Sequence, residues 1–443
     1  MEAAGVLKHF QAGGAVREGS LYVERAADRE LFAALSRGEP CHVLATTQTG
    51  KSSLKLHVAR KLEEAGVRCA LLDLPGGVTE EQWYYGLARN IAREAKIEVD
   101  LDGFWDRDPR LAQVQRWTAF VRKELLTRVQ GRLVVFLDEI NVVLGLEFPT
   151  DPFFAALREV QDARAADARY NDLTFCVLGI AFPEALMNDA ARTPFRGSRA
   201  VVVGDFEREE MAAFAPGLGV GGEAASSLLD EVFAWTHGHP YMTQRVCEAL
   251  AEEKGESAPA ERVGRVVERV LLDPKRDRDP NLRFAERYFA RKGVSAPADM
   301  LFLYRRLLEG EAVLFDPNSH VEQHLCLSGL AAARNGTRIE VRNRVFQRAL
   351  GLAWVKTREA EETFGERLQS WLGAPPERKE NFLLRGPALE EAIRRSGQRG
   401  ELSATEEAFL RASQEQAAAL ALEQEREERA EERARTARRT TRV

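Results

Sequence analysis

Apolar residues in this chain fall into short unbroken runs separated by longer stretches with helical spacing. CHVLA (Cys41–Ala45), RCALLDL (Arg68–Leu74), LVVFLDE (Leu133–Glu139), LTFCVLGIA (Leu173–Ala181) and AVVVGDF (Ala200–Phe206) read as five buried strands. After Lys51, the residues Leu54, Val58 and Leu62 recur at helical spacing, and Gly66 is placed to end that helix. Leu111, Val114, Trp117, Val121, Leu125 and Val129 share one face of a helix expected over 111–129. Buried strands alternating with crossover helices specify a mostly parallel α/β sheet.

The alternation stops after Phe206. Residues 207–275 read as all-helical, with polar breaks at Gly217–Gly222 and Lys254–Pro259, and RDRDPN (Arg276–Asn281) reads as a linker. Over 281–357, short helices precede a hairpin-like pair, LSGLAAA and TRIEV, joined by a turn at Arg334-Asn335-Gly336, and another helix begins near Asn343. That order suggests a winged-helix module. Residues 358–413 read as a helical linker in which Ser403 and Glu406 make a capping box. Residues 414–443 form a charged tail of Glu, Arg and Ala without the a/d seam of a coiled coil, so a solvated helix is expected.

Composition narrows the class. The 443 residues suggest about three domains. With 44% apolar and 30% charged residues the chain is ordinary for a globular protein, which excludes a mostly disordered or collagen-like one. A formal net charge of -6 argues against a globally basic nucleic-acid binder, though not against a local basic face. No run approaches the roughly 18 apolar residues of a membrane span. The start, MEAAGVLKHF, has no signal-peptide pattern. Five scattered cysteines without a CxxC read as reduced, buried thiols, so a cytoplasmic location is expected.

The candidate chemistry begins at ATTQTGKSS (Ala45–Ser53), where a strand runs into a loop ending Gly50-Lys51-Ser52 and a helix follows. This is the phosphate-loop arrangement. Backbone N–H groups of Thr47, Gln48, Thr49, Gly50 and Ser53 face a β-phosphate, Lys51 supplies a cation and Ser52 a hydroxyl for Mg²⁺. Ala45 stands where the pattern has its first glycine. The strand LVVFL ends in Asp138-Glu139: the first is placed to hold Mg²⁺, the second to polarise an attacking water. One further strand, Arg68–Leu74, fits between the two motifs, as in the P-loop branch that carries a catalytic Glu. With no NKxD motif to read guanine, adenine is the expected base.

Three further segments bear on the site. Tyr22, Val23, Glu24, Arg25 and Asp28 lie upstream of the loop, where an apolar-Arg-acid segment often covers adenine; an ordinary helix start is the alternative. Arg196 and Arg199, in TPFRGSR, are candidate γ-phosphate sensors. In THGHPYMTQ (Thr236–Gln244), Pro240 could pack on adenine with Gly238 allowing close approach, or simply open a helix. His320, His324 and Cys326, and the pair His237 and His239, lack a recognised zinc spacing.

Taken in order, GGAVREGSLYVERAADRELFAAL, CHVLATTQTGKSSL, VVFLDEI, LTFCVLGIAFPEAL, TPFRGSR and THGHPYMTQ resemble the bacterial AAA-like NTPase domain of the STAND class, relatives of AAA+ and NB-ARC proteins. The likeness spans roughly residues 10–357, and FLLRGPALEEA and ELSATEEAFLRAS resemble the linker of such proteins, which in relatives often leads to WD-type repeats. It implies a segment over 1–24, a P-loop core over 25–206, a helical lid over 207–275, a winged helix over 281–357, a linker over 358–413 and a tail over 414–443. It implies ATP or ADP with Mg²⁺ as ligands, and slow hydrolysis through Glu139 with Lys51 and Arg199 in support. Arg25 matches the family's upstream arginine, although Glu24 replaces the usual glycine, and Pro240 matches its GxP proline. Val341-Arg342-Asn343 falls where NB-ARC relatives place an ADP-clamping motif, a poor match in letters. Exchange of ADP for ATP would release the lid and permit self-oligomerisation or binding of a protein partner. No repeat follows the linker, which implies a truncated chain or an output in the tail or a partner. A DNA-binding AAA+-like ATPase, using Arg342, Arg344 and Arg348 on the module's last helix, is the alternative; a nucleotide-binding scaffold without hydrolysis is the third.

Overall fold

A computed structural model describes residues 9–17, 19–187, 193–253, 257–273, 279–289, 294, 297–399 and 402–440. Residues 276–278 of the charged linker expected at 276–281, and residues 441–443 at the end of the tail, lie outside the described residues. The chain forms two compact units, residues 1–295 with 312–349, and residues 296–311 with 350–443.

The first unit is built on five strands, β1 (Cys41–Leu44), β2 (Arg68–Asp73), β3 (Leu133–Asp138), β4 (Leu173–Gly179) and β5 (Arg199–Ala200). They lie in the order β2-β3-β4-β1-β5, all parallel. β4 therefore stands between β1 and β3, the strands that carry the two motifs. Helices cover both faces, so the strands show no polar alternation. Leu133, Val135 and Leu137 of β3 face a core with Trp83, Trp117, Phe120 and Phe153. Val134 and Phe136 face the opposite core, filled by Leu31 and Leu35 of α1 (Ala26–Ser36) and Leu54, Val58 and Leu62 of α2 (Lys51–Glu64). All five cysteines are free thiols.

Two expectations change in detail. The fifth strand keeps only two paired residues. It is the edge strand, and Val202, which no neighbour covers, is 79% exposed. The helix expected over 111–129 is α-helical over Gln113–Phe120 and widens to a π turn over Val121–Leu125. Phe120 and Val121, then Leu125 and Leu126, are all buried there.

After Phe206 the first unit is helical, with Gly222–Thr236, Pro240–Glu252 and Pro259–Val267. Then follow helices Pro280–Tyr288 and His320–Ser328 and an antiparallel sheet in the order β6-β8-β7, made of β6 (Val313–Leu314), β7 (Ala331–Arg334) and β8 (Arg338–Val341). The expected turn joins β7 to β8, with Asn335 and Gly336 both at positive φ, the conformation that suits Asn-Gly in a tight hairpin.

The second unit is all-helical, with helices Pro297–Leu308, Leu352–Phe364, Glu366–Gly373, Pro387–Arg399 and Ala404–Thr440. Its core gathers Phe364, Leu368, Leu383, Leu384, Leu389 and Phe409. Ser403 and Glu406 form the expected reciprocal cap: each backbone N–H donates to the other's side chain. Among the described residues no helix is long and apolar enough to cross a membrane.

Candidate functional site

The loop after β1 meets the end of β4, since Leu44 pairs with Gly179 and Ala45 N–H donates to the Gly179 carbonyl at 3.0 Å. Ligands of open parallel sheets bind at these carboxyl ends. The loop turns through Gln48 (φ 54°) and Gly50 (φ 86°), and Gly50 opens α2. Ala45 is not among the residues at positive φ, so the pattern's missing first glycine is not required for backbone reasons. At Gly50 a side chain is excluded twice over, by its φ and by Arg25, whose guanidinium would lie 3.0 Å from a Cβ. The first N–H groups of α2 have no partner within the helix, the arrangement that suits an anion at a helix N-terminus.

Lys51 is buried, and its ammonium donates to the carbonyls of Ala45 (3.0 Å) and Thr46 (2.6 Å). Burial pushes its pKa down to about 8, against the pull of Asp138 and Glu139 and with a further push from Arg342. Thr47, Gln48, Gly50, Lys51, Ser52, Ser53, Arg25, Glu139 and Pro240 all line one cleft of ≈ 210 Å³. Thr49 is buried beneath the loop, donating to the Thr46 carbonyl at 3.2 Å.

Glu139 is exposed to the cleft with φ 58°, a left-handed conformation unusual for this side chain. Its carboxylate accepts from Asn141 Nδ2 at 3.3 Å, and Asn141 Oδ1 accepts from Ile180 N–H at 2.9 Å, which ties the end of β3 to the end of β4. Asp138 sits differently. Its Oδ1 accepts from Glu139 N–H at 2.9 Å and its Oδ2 pairs with Lys55 at 2.7 Å. Ser52 and Glu139 thus open onto the cleft, whereas both carboxylate oxygens of Asp138, the residue expected to hold Mg²⁺, are engaged within the chain.

Arg25 is buried against the loop, donating to the carbonyls of Thr49 (2.8 Å) and Gly204 (3.0 Å), with Phe206 5.6 Å from its guanidinium. It braces the loop as well as lining the cleft. Pro240 opens the helix Pro240–Glu252, and Gly238 lies so close to the Phe206 backbone that a Cβ there would stand 1.9 Å from the Phe206 carbonyl oxygen. His239 is buried and accepts from Met242 N–H at 3.5 Å, while burial and the charge of Arg342 push its pKa down to about 3. Arg342 pairs with buried Asp205 at 2.5 Å, and Asn343 Nδ2 donates to the Thr236 carbonyl at 3.0 Å. The segment Val341-Arg342-Asn343 thus lies under the THGHP turn.

Arg199 is not at the cleft, which corrects the sensor expectation. It pairs in register with Cys41 at the start of β1, the edge of the sheet opposite the phosphate loop. Its guanidinium binds Glu39 at 2.8 Å and Glu30 at 3.7 Å. Arg196 is exposed in the turn Pro194–Gly197 and does not line the cleft either.

Sequence reasoning passed over several lining residues: Gln11, Gly14, Phe206, Tyr241 and Gln244. A segment from Gln11 to Val16 runs over the cleft, with Gln11 N–H donating to Gln244 Oε1 (3.2 Å) and Val16 N–H to Ser53 Oγ (3.1 Å). Its only sequence signal is the Gly13-Gly14 pair, which marks a turn and not what the turn touches.

Comparison with known proteins agrees with this geometry. Residues 10–258, more than half of the chain, match the AAA-like domain family. A Synechocystis protein described as an uncharacterized WD repeat-containing protein is 32% identical over 436 residues, covering 94% of this chain and 36% of its own length. The chain therefore spans about a third of that relative. Among solved structures, a Walker-type ATPase of Pyrococcus abyssi (18% identity, TM-score 0.47) covers 77% of this chain and 99% of its own. The ORC2 protein of Aeropyrum pernix (13% identity, TM-score 0.47) covers 77% and 96%. The chain is a member of the AAA-like domain family.

Proposed function

We propose that the chain binds ATP and ADP in this cleft, hydrolyses ATP slowly, and works as a STAND-type switch. The observation that carries the reading is the convergence of Lys51, Ser52, Glu139, Arg25 and Pro240 on one cleft. Lys51 would leave the loop carbonyls for the β- and γ-phosphates, and the N–H groups at the start of α2 would take the remaining phosphate oxygens. Phe206, Pro240 and Tyr241 offer flat surfaces to the base. Ser52 would hold Mg²⁺, together with Asp138 once Lys55 has released it, and the bound ion would neutralise the phosphate oxygens. Glu139 would take the proton of the attacking water, oriented by Asn141. Arg199 is left out of this scheme.

The switch reading rests on what surrounds the loop. Thr46 Oγ1 donates to the Leu327 carbonyl at 2.7 Å, and Asn281 Nδ2 to Gln48 Oε1 at 2.7 Å. Residues well beyond the sheet, in the segment we take for a winged helix, therefore touch the phosphate loop directly. A nucleotide that favours one arrangement of the loop would shift that segment by its differential affinity. WD repeats belong to the Synechocystis relative by its description, and an interaction output, through a protein partner or self-assembly in the cytoplasm, suits a module of this order.

Duplex binding has less support. Arg342 is paired with Asp205, Arg344 lies 4.1 Å over the Trp235 ring, and Arg348 is 3.6 Å from Glu268. Each arginine assigned to DNA has a partner inside the chain. Phosphate release by wild type and Glu139→Gln, with particle size in ADP and in a non-hydrolysable ATP analogue, tests the proposal. Turnover that survives Glu139→Gln, or identical size in both nucleotides, would count against it.

A further inference from the structure

Lys55 is the residue in this region that the nucleotide reading leaves without a role. It follows Lys51 by four positions, so both lysines lie on one side of α2. Lys51 reaches the loop, and Lys55 reaches the ends of β2 and β3. There Asp73 and Asp138 are register partners, side by side on adjacent strands. The Lys55 ammonium lies 2.8 Å from Asp73 Oδ1 and 2.7 Å from Asp138 Oδ2. The two carboxylates differ in surroundings: the Asp138 side chain is 4% exposed and that of Asp73 is 76% exposed. With Oδ1 taken by Glu139 N–H, Lys55 holds the remaining oxygen of Asp138.

We propose that Lys55 is a built-in cation at the metal side of this site, so that nucleotide binds without a divalent ion and Mg²⁺ is admitted only when Lys55 passes from Asp138 to Asp73. The inference rests on the nucleotide reading of the cleft and concerns the regulation of that same site. A buried carboxylate beside a polyphosphate must be neutralised by something. Here the chain supplies the charge itself, so ADP needs no metal to be tolerated next to Asp138. Mg²⁺ brings two positive charges to a carboxylate that already carries one, and both cannot share its outer oxygen. Asp73 already touches the ammonium, so the transfer requires breaking one contact while the other is kept. Because Asp73 is exposed, water screens that pair and makes it the weaker partner. Lys55 therefore rests on Asp138 until a metal competes. Hydrolysis, which needs the metal, becomes conditional, while retention of nucleotide does not. Lys55 acts through Asp138 and is a positioning residue.

The test uses the full chain stripped of nucleotide. Affinity for a fluorescent ADP is measured in EDTA and in excess Mg²⁺, and binding of Mn²⁺ to the ADP complex is followed by electron paramagnetic resonance. In the wild type, EDTA should change ADP affinity by less than about threefold. Lys55→Met should become dependent on the metal, losing about tenfold or more in EDTA, and should bind Mn²⁺ about tenfold more tightly. Asp73→Asn, a change at an exposed position, should bind Mn²⁺ about tenfold more weakly, because Lys55 has nowhere to go. A wild type that loses about tenfold or more in EDTA would overturn the inference while leaving the nucleotide reading in place. Should Lys55→Met fail to fold, Asp73→Asn decides: Mn²⁺ affinity equal to wild type overturns the proposal. ADP that binds in neither condition would remove the reading of the cleft, and this inference with it.

Discussion

Thr46 Oγ1 donates to the carbonyl oxygen of Leu327 across 2.7 Å, joining the first turn of the phosphate loop to the last turn of the helix His320–Ser328. That carbonyl is one of the four at a helix end that lack a partner within the helix. The threonine is buried, so its hydroxyl is the means by which the carbonyl is satisfied out of water. Thr46→Val keeps the shape and removes the donor. The expected cost is about 1–3 kcal/mol of stability, read as a lower melting temperature. A variant that melts with the wild type would show that the contact contributes nothing.

Lys51 should make nucleotide binding depend on pH. Burial holds its pKa in the folded chain at about 8, whereas the unfolded chain keeps that proton to about 10.4. Between those values the unfolded state binds more protons, so the Lys51 contribution to stability rises with pH. Nucleotide has the opposite preference, because phosphate favours the ammonium. Binding above about pH 8 should take up a proton, and affinity should fall by up to about tenfold per pH unit. Calorimetry in buffers of different ionisation heat measures that uptake. An affinity flat between about pH 7 and about pH 9 would contradict it.

Glu139 joins a strained backbone to the proposed role of general base. Its left-handed backbone costs about 1–2 kcal/mol that glycine would avoid. Glu139→Gly should therefore melt no lower than the wild type, while turnover falls by about a hundredfold or more. Glu139→Gln should lose turnover to the same extent and keep nucleotide. Full phosphate release by either variant would remove Glu139 from the chemistry.

The pair Arg342 and Asp205 is buried at both ends, and Arg334 lies 3.4 Å from the same carboxylate. Burial works to raise the Asp205 pKa, but Arg342, His239 and Arg334 more than offset it and hold it below the usual range. Its contribution is present above the unfolded carboxylate value and is lost as pH falls through the lower folded value. Arg342→Ala leaves that carboxylate with one weaker partner. The expected loss is about 3–5 kcal/mol, checked by thermal melting. Asp205→Asn should cost less, since no charge is left stranded.

Much of the site was legible because its chemistry is contiguous in sequence. Lys51, Ser52 and Gly50 are neighbours on one loop, and Asp138-Glu139 end an apolar run. The strand order brings them together because β3 and β1 flank β4. Arg199 misled for a related reason. It lies in the TPFRGSR segment that follows β4, but it opens β5, and in a parallel sheet a residue at the start of a strand lies a strand's length from the carboxyl edge. The pairing of Lys55 with Asp138 could not be read, because an i+4 lysine on a helix is ordinarily a solvated one. Gln11–Val16 carries no period at all, and only its tertiary contacts reveal that it covers the cleft. Arg342 and Asp205 are far apart in sequence and meet only through the folding of β8 beneath the THGHP turn.

The most direct measurement is the equilibrium binding of ADP and ATP to the wild type, Lys51→Ala and Arg199→Ala. Wild type and Arg199→Ala should bind alike, and Lys51→Ala should lose about a hundredfold or more, since the phosphate charge would meet no ammonium. Binding by Lys51→Ala at wild-type strength would contradict the account.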